Sequence, residues 1–209
     1  MENKVNDFSM PIRKKDKKIK IGLIGLGTVG SGVFKTLKSF DNVEVVKIAV
    51  RNINKPRNIE GLDSSIVTDD AFSVVNDPNI DIVVELIGGL EPAFQLIETA
   101  IKNGKHIVTA NKELLAKRGE ELFKFAEENN RVILYEAAIA GGIPIIMPIK
   151  TILAGNAITR IEAILNGTTN YILTKMDVQG ASYEDVLKES QELGYAEADP
   201  TGDVECFDA

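Results

Sequence analysis

Apolar residues in this chain gather in short, nearly continuous runs, separated by stretches in which they recur every three or four positions. "IKIGLI" (19–24), "VEVVKIAV" (43–50), "IDIVVELIGG" (80–89), "KHIVTA" (105–110) and "RVILYEAAI" (131–139) are runs of the first kind. Their continuity predicts strands covered on both faces. The intervening stretches predict helices: one from about Thr28 behind a glycine turn, and a short one in "DDAFSVVND" (69–77). A third lies in "PAFQLIETAIKNG" (92–104), with Pro92 in its first turn and Gly104 just past its end, and a long amphipathic one in "NKELLAKRGEELFKFAEENN" (111–130). Strands alternating with helices predict an α/β fold with a doubly wound parallel sheet, because parallel neighbours need a crossover.

The pattern changes beyond Ile139. "AGGIPIIMPIKTILAG" (140–155) predicts a turn into a short apolar helix. "AITRIEAILNGTTNYILTKM" (157–176) predicts a strand, a polar Gly/Thr turn and a helix. "SYEDVLKESQELG" (182–194) is a further helix, with Ser182 as N-cap and Asp185 at the capping-box position. The expected organisation is a flexible arm (1–17), a dinucleotide-binding domain (18–139) and the beginning of a second, α+β substrate domain (140–209).

Composition narrows the chemistry. A net charge of −7 and a pI near 4.9 argue against nucleic acid or an anionic membrane as partner. No apolar run approaches the roughly 20 residues of a membrane helix. The Lys-rich opening lacks the apolar core of a signal peptide, and a cytoplasmic location is expected. With Cys206 and His106 the only residues of their kinds, an internal disulfide, a Cys-based zinc site and a multi-His site are excluded. His106 falls in a strand and is expected to be packed. Lys105 and Lys117 are expected to be solvated.

"GLGTVG" places Gly25, Gly27 and Gly30 in the G-x-G-x-x-G pattern after the first strand and at the opening of the first helix. Gly25 allows the tight turn, Gly27 lets the backbone approach a pyrophosphate, and Gly30 lets helix and strand pack closely. In that context the fold is Rossmann-type and dinucleotide binding outweighs a packing turn. After the second strand the chain reads "AVRNINKPR", with Arg51 where NAD-specific sites carry an acid. A guanidinium suits a 2′-phosphate, so NADP is preferred over NAD. Thr109, Asn111 and Lys112 fall at the carboxyl end of the fourth predicted strand, where ligands of open α/β sheets lie. Lys112 there could hydrogen-bond the nicotinamide-ribose region or a substrate oxygen.

The closing "EADPTGDVECFDA" is acidic without a balancing base. By itself it reads as a solvated tail, a metal site or half of a substrate pocket.

"GLGTVGSGV", "VVELIGG", "GKHIVTANK", "YEAAIAGGIPII", "ILNGTTNYIL" and "GYAEADPTGDVE" together resemble homoserine dehydrogenase, from about Lys18 onward. The resemblance implies NAD(P)-dependent interconversion of L-aspartate 4-semialdehyde and L-homoserine, on the route to threonine, isoleucine and methionine. It also implies a homodimer or higher assembly. Carried over residue by residue, it assigns cofactor contacts to Gly25, Gly27, Thr28, Val29, Gly30, Arg51, Thr109 and Lys112. The substrate pocket falls on Gly167, Thr168, Tyr195, Glu197 and Asp203, with Lys112 and Asp208 as the catalytic residues. A monovalent cation, sodium, is implied at Glu136 and the main chain of Ile139, Gly141 and Ile143. In the family the proton donor is a lysine roughly one helical turn beyond the position of Asp208. The chain stops at Ala209 and carries Cys206 where the family has glycine, which predicts an N-terminal portion with little turnover. Two rival readings stay open: another oxidoreductase of this architecture acting on sugars or amino acids, and a non-catalytic NAD(P)-binding module.

Overall fold

A computed structural model of the chain describes residues 18–163 and 166–193. The element order is β1 (Ile19–Ile24), α1 (Thr28–Leu37), β2 (Val43–Ala49), β3 (Val67–Thr68), α2 (Ala71–Val75), β4 (Ile82–Glu85), α3 (Ala93–Lys102), β5 (His106–Thr109), α4 (Lys112–Glu128) and β6 (Ile133–Leu134). A 3-10 turn (Ser64–Ile66) precedes β3, and after another (Glu136–Ala138) and a π-turn (Pro148–Ile152) come α5 (Gly167–Gln179) and α6 (Tyr183–Glu192). The strands form one parallel sheet in the order β3-β2-β1-β4-β5-β6. The chain therefore winds one way from β1 to β3 and the other way from β4 to β6, and the reversal lies between β1 and β4.

The two faces of the sheet feed two cores, as the period of two along a strand requires. Leu23, Ile48 and Val84 pack with Leu26 and Phe34 on the α1 side. Ile24, Ala49, Val83 and Ile107 pack on the other side with Leu96, Ile97, Leu114 and Leu122 from α3 and α4. Full burial of each of the Leu, Ile, Val and Phe side chains among them stabilises by about 1.5–3 kcal/mol.

Five predicted strands are present, with corrections to their extents and company. β3, only two residues long, was too short to show a periodic pattern. The fifth predicted strand (131–139) shrinks to Ile133–Leu134, because Glu136–Ala138 coil into a 3-10 turn. Residues 157–163 are not a strand. The expected Gly/Thr turn is instead the first turn of α5, with Asn166 as N-cap accepting from the Thr169 N–H at 2.7 Å. Ser182 caps α6 as expected and accepts from the Asp185 N–H at 3.2 Å.

Lys105 overturns its reading as a solvated lysine. It is 2% exposed, and its ammonium donates to the carbonyls of Asp77 at 2.5 Å and Ile80 at 3.0 Å. Burial lowers its pKa against the opposing charges of Asp77 and Asp81. It pins the α2–β4 connection at the amino end of the sheet, away from the ligand edge. Lys117 is exposed as expected and pairs with Glu113 on α4 at 2.7 Å. His106 is partly buried, and its Nδ1 accepts from the Val132 N–H at 3.2 Å, a packing role.

Candidate functional site

The carboxyl ends of β1, β2, β4 and β5 converge on the point where the strand order reverses, which is where a crevice for a ligand opens in this architecture. Gly25 leaves β1 with φ of +105°, and a β-carbon there would stand 2.8 Å from the Leu86 carbonyl oxygen. Only glycine turns the chain so tightly against the end of β4. A β-carbon at Gly30 would press on the Gly25 carbonyl, so that glycine sets how closely α1 approaches its own strand. At Gly27 a β-carbon would meet nothing within 4 Å. The three roles expected from the motif are thus physically distinct here: turn, packing and open ground.

Gly27 is also the N-cap of α1, and no side chain caps that helix. Its first turn (Thr28, Val29, Gly30) holds no acidic residue. The unpaired main-chain N–H groups and the positive helix end therefore face the crevice, a setting that favours a phosphate. Val29 is exposed beside them.

Arg51 lies two residues past β2, exposed, and has no hydrogen-bond or ion-pair partner among the described residues. Its neighbour Arg57 differs. It donates to the Lys55 carbonyl at 2.9 Å and the Asn52 carbonyl at 2.8 Å, stapling the loop. Of the two guanidinium groups, Arg51 is the one available to an anion.

At the ends of β4 and β5 the residues form a hydrogen-bonded set. Glu85 is wholly buried. Its Oε1 accepts from the N–H groups of Ile87 at 2.9 Å and Gly88 at 3.2 Å, and its Oε2 accepts the Thr109 hydroxyl at 2.6 Å. Thr109, also wholly buried, accepts in turn from the Asn111 N–H at 3.1 Å. Asn111 caps α4 through Leu114 N–H and donates to the Gly89 carbonyl at 2.7 Å. The Thr109 side chain is therefore committed to the protein, and the wholly buried residue supports the edge of the crevice. Lys112 opens α4 exposed at the same edge. Glu85 escaped the sequence reading: inside an apolar run its acid passed as a strand residue, and only its spacing before "GG" could have marked it.

Glu136 does not continue the strand predicted over 131–139. It opens the 3-10 turn after β6. Oε1 accepts from Ile145 N–H at 2.5 Å and Ile146 N–H at 2.8 Å, and Oε2 from Met147 N–H at 2.9 Å. Burial opposes its ionisation, but the three N–H donors outweigh that and hold its pKa below the ordinary glutamate value. Between Glu136 and those donors, Ala140 and Gly141 take left-handed φ values of +56° and +59°. The carbonyls of Ile139, Gly141 and Ile143 accept no hydrogen bond among the described residues. Carbonyl oxygens without a donor, together with acceptor capacity left on Oε2 of Glu136, are the kind of ligands that a hard, weakly charged cation takes.

Gly167 and Thr168 lie in the first turn of α5, Gly167 exposed and Thr168 partly so. Tyr195, Glu197, Asp203 and Asp208 lie outside the described residues, as does Cys206. The described residues include no cluster of three His, Cys, Asp or Glu side chains fit to hold a metal, and none of their helices is long and apolar enough to cross a membrane.

Comparison with known proteins adds an independent line. The family model "Homoserine dehydrogenase, NAD binding domain" matches residues 25–136, and the model "Homoserine dehydrogenase" matches residues 144–209. The homoserine dehydrogenase of Synechocystis sp. is 50% identical over 198 residues, covering 91% of this chain and 46% of that protein. That of Bacillus subtilis is 45% identical over 202 residues, covering 92% and 46%. Among solved structures, a homoserine dehydrogenase from Thiobacillus denitrificans superposes with a TM-score of 0.82 at 50% identity, over 92% of this chain and 46% of that one. A hyperthermophilic archaeal homoserine dehydrogenase in complex with NADPH does so with a TM-score of 0.78 at 28% identity, over 91% and 66%. The chain spans about half the length of the curated relatives it matches.

Proposed function

The chain belongs to the homoserine dehydrogenase family, and from that premise we propose that it supplies the cofactor half and part of the substrate half of an enzyme reducing L-aspartate 4-semialdehyde to L-homoserine, with NADP preferred. The two units are residues 18–139 and 140–209. The observation that carries the cofactor reading is the uncapped, acid-free N-terminus of α1 over open ground at Gly27, with the unpartnered Arg51 one strand away.

A bound nicotinamide supplies the hydride. The chain's own work is to hold and orient. The amides of Thr28, Val29 and Gly30 receive the pyrophosphate, and Arg51 receives a 2′-phosphate. Lys112 hydrogen-bonds the nicotinamide-ribose region or the substrate oxygen, where a cation offsets the negative charge that develops as the aldehyde is reduced. Thr109 acts at the nicotinamide edge by holding Glu85 and Asn111 in place. Gly167, Thr168, Tyr195, Glu197 and Asp203 bind the substrate, and Glu197 and Asp208 suit its ammonium group. Sodium is the cation proposed for Glu136 with the carbonyls of Ile139, Gly141 and Ile143, where it would tie the turn after β6 to the start of the second unit. The working assembly is a homodimer or higher in the cytoplasm, and the product feeds threonine, isoleucine and methionine synthesis.

The test is NADPH and NADH binding by nicotinamide fluorescence, alongside homoserine-dependent reduction of NADP. Binding that favours NADPH supports the cofactor reading. Activity on a sugar or another amino acid with none on homoserine would sink the substrate reading. Binding with little or no turnover agrees with a chain that supplies only part of the substrate half, and robust homoserine-dependent NADP reduction would overturn that part of the reading.

A further inference from the structure

Glu85 is a buried carboxylate that the cofactor reading does not use. It has no ion-pair partner among the described residues, and an acid taken out of water is costly unless hydrogen bonds replace its solvent. Its three bonds all serve the edge of the crevice: the N–H groups of Ile87 and Gly88, and the hydroxyl of Thr109. In the sheet, Glu85 is registered with Ile24 on one side and Thr109 on the other. It therefore stands at the reversal of strand order, one residue from the Leu86 carbonyl that confronts Gly25.

The loop it holds is shaped to show main chain. Gly88 and Gly89 take φ of +71° and +72°, and a β-carbon on either would meet nothing within 4 Å. The far side of the loop is fixed separately. Asn111 grips the Gly89 carbonyl, and Arg118 reaches Glu91 at 3.5 Å while lying over the Phe94 ring. With the pyrophosphate on α1 and the adenosine end at Arg51 beside β2, the other half of a dinucleotide crosses the reversal point toward β4 and β5.

We propose that Glu85 is a positioning residue for the nicotinamide half of the cofactor, acting through the loop 86–90 and Thr109. The proposal rests on the cofactor reading above. Glutamate serves here because one oxygen takes two main-chain donors while the other takes a hydroxyl. Glutamine accepts at one end only and presents an N–H₂ to Thr109 at the other.

The experiment measures dissociation constants of two probes for the full chain and its variants. One probe is NADPH, followed by its fluorescence. The other is adenosine 2′,5′-bisphosphate, which carries the adenosine end without nicotinamide, followed by calorimetry. Glu85→Ala is expected to weaken NADPH about tenfold and to leave the bisphosphate within about twofold. Glu85→Gln is expected to weaken NADPH about threefold with the bisphosphate unchanged, and it carries the test if the alanine variant does not fold. Equal loss of both probes, or no change in either, would overturn the proposal, since a general structural role predicts the first and no role the second. An unaltered chain that binds neither probe would instead remove the cofactor reading, and this inference with it.

Discussion

The sheet unit and the segment after it are built to different degrees of self-sufficiency. In the sheet unit both faces are covered: Leu23, Ile48, Val83, Leu96, Ile97 and Leu114 are all within 1% of full burial. The described part of the second unit buries far less. Ile172 and Val186 pack between α5 and α6, and Lys175 bridges to Glu189 at 2.6 Å, but Ile152, Leu173 and Val178 are 77%, 57% and 74% exposed. The residues proposed for the cofactor thus sit on a scaffold that closes on itself, whereas α5, which carries Gly167 and Thr168, packs on α6 and leaves much of its apolar surface exposed. Precise sites need rigid support, so the two halves of the proposed function should respond differently to damage.

Cofactor binding should be broken most severely at Gly30. Gly30→Val forces a side chain against the Gly25 carbonyl, and overpacking of this kind costs about 1–3 kcal/mol. Chemical denaturation should register that loss, and nicotinamide fluorescence should show cofactor binding reduced beyond detection. Leu23→Ala should cost about 2–5 kcal/mol by denaturant midpoint through the cavity it leaves. Its counterpart Leu173→Ala, on the exposed face of α5, should stay within about 0.5 kcal/mol. Similar costs for the two leucines would show that the second unit is as closely packed as the first.

Arg51→Gln sharpens the comparison at the site itself. It should cut NADPH affinity about tenfold while sparing NADH, read as the ratio of their dissociation constants. An unchanged ratio would move the cofactor preference elsewhere. The mildest effect is expected at Glu136. Because its pKa in the folded chain is lowered, its contribution to stability is fully present above the ordinary value of 4.5 and disappears as pH falls through the lowered one. Thermal melts from neutral to acid pH should therefore show a decline below 4.5 that is weaker in Glu136→Gln. Identical declines in the two proteins would assign the acid sensitivity to other carboxylates.

Much of this architecture is a matter of neighbours in sequence. Apolar runs made strands and three-to-four spacing made helices because backbone periodicity acts over a few residues. Asn166 and Ser182 cap their helices through amides only three positions away. The glycine motif was legible for the same reason, since a turn, a close approach and an open amide cluster all arise within six residues. Arg51 could be read because its distance from β2 is fixed by the chain.

Partners far apart in sequence were not legible. Lys105 looks like any surface lysine until carbonyls 25 and 28 residues earlier fold around it. Glu136 lay inside a predicted strand, but amides 9 to 11 residues later drew it into a turn. Glu85 was one polar letter in an apolar run, and parallel pairing set it beside Thr109, 24 residues on. Local periodicity thus settles which elements form and where a phosphate can meet the chain. Whether a charged side chain faces water, anchors a loop or holds a ligand is decided by desolvation and by donors that only tertiary packing brings within reach.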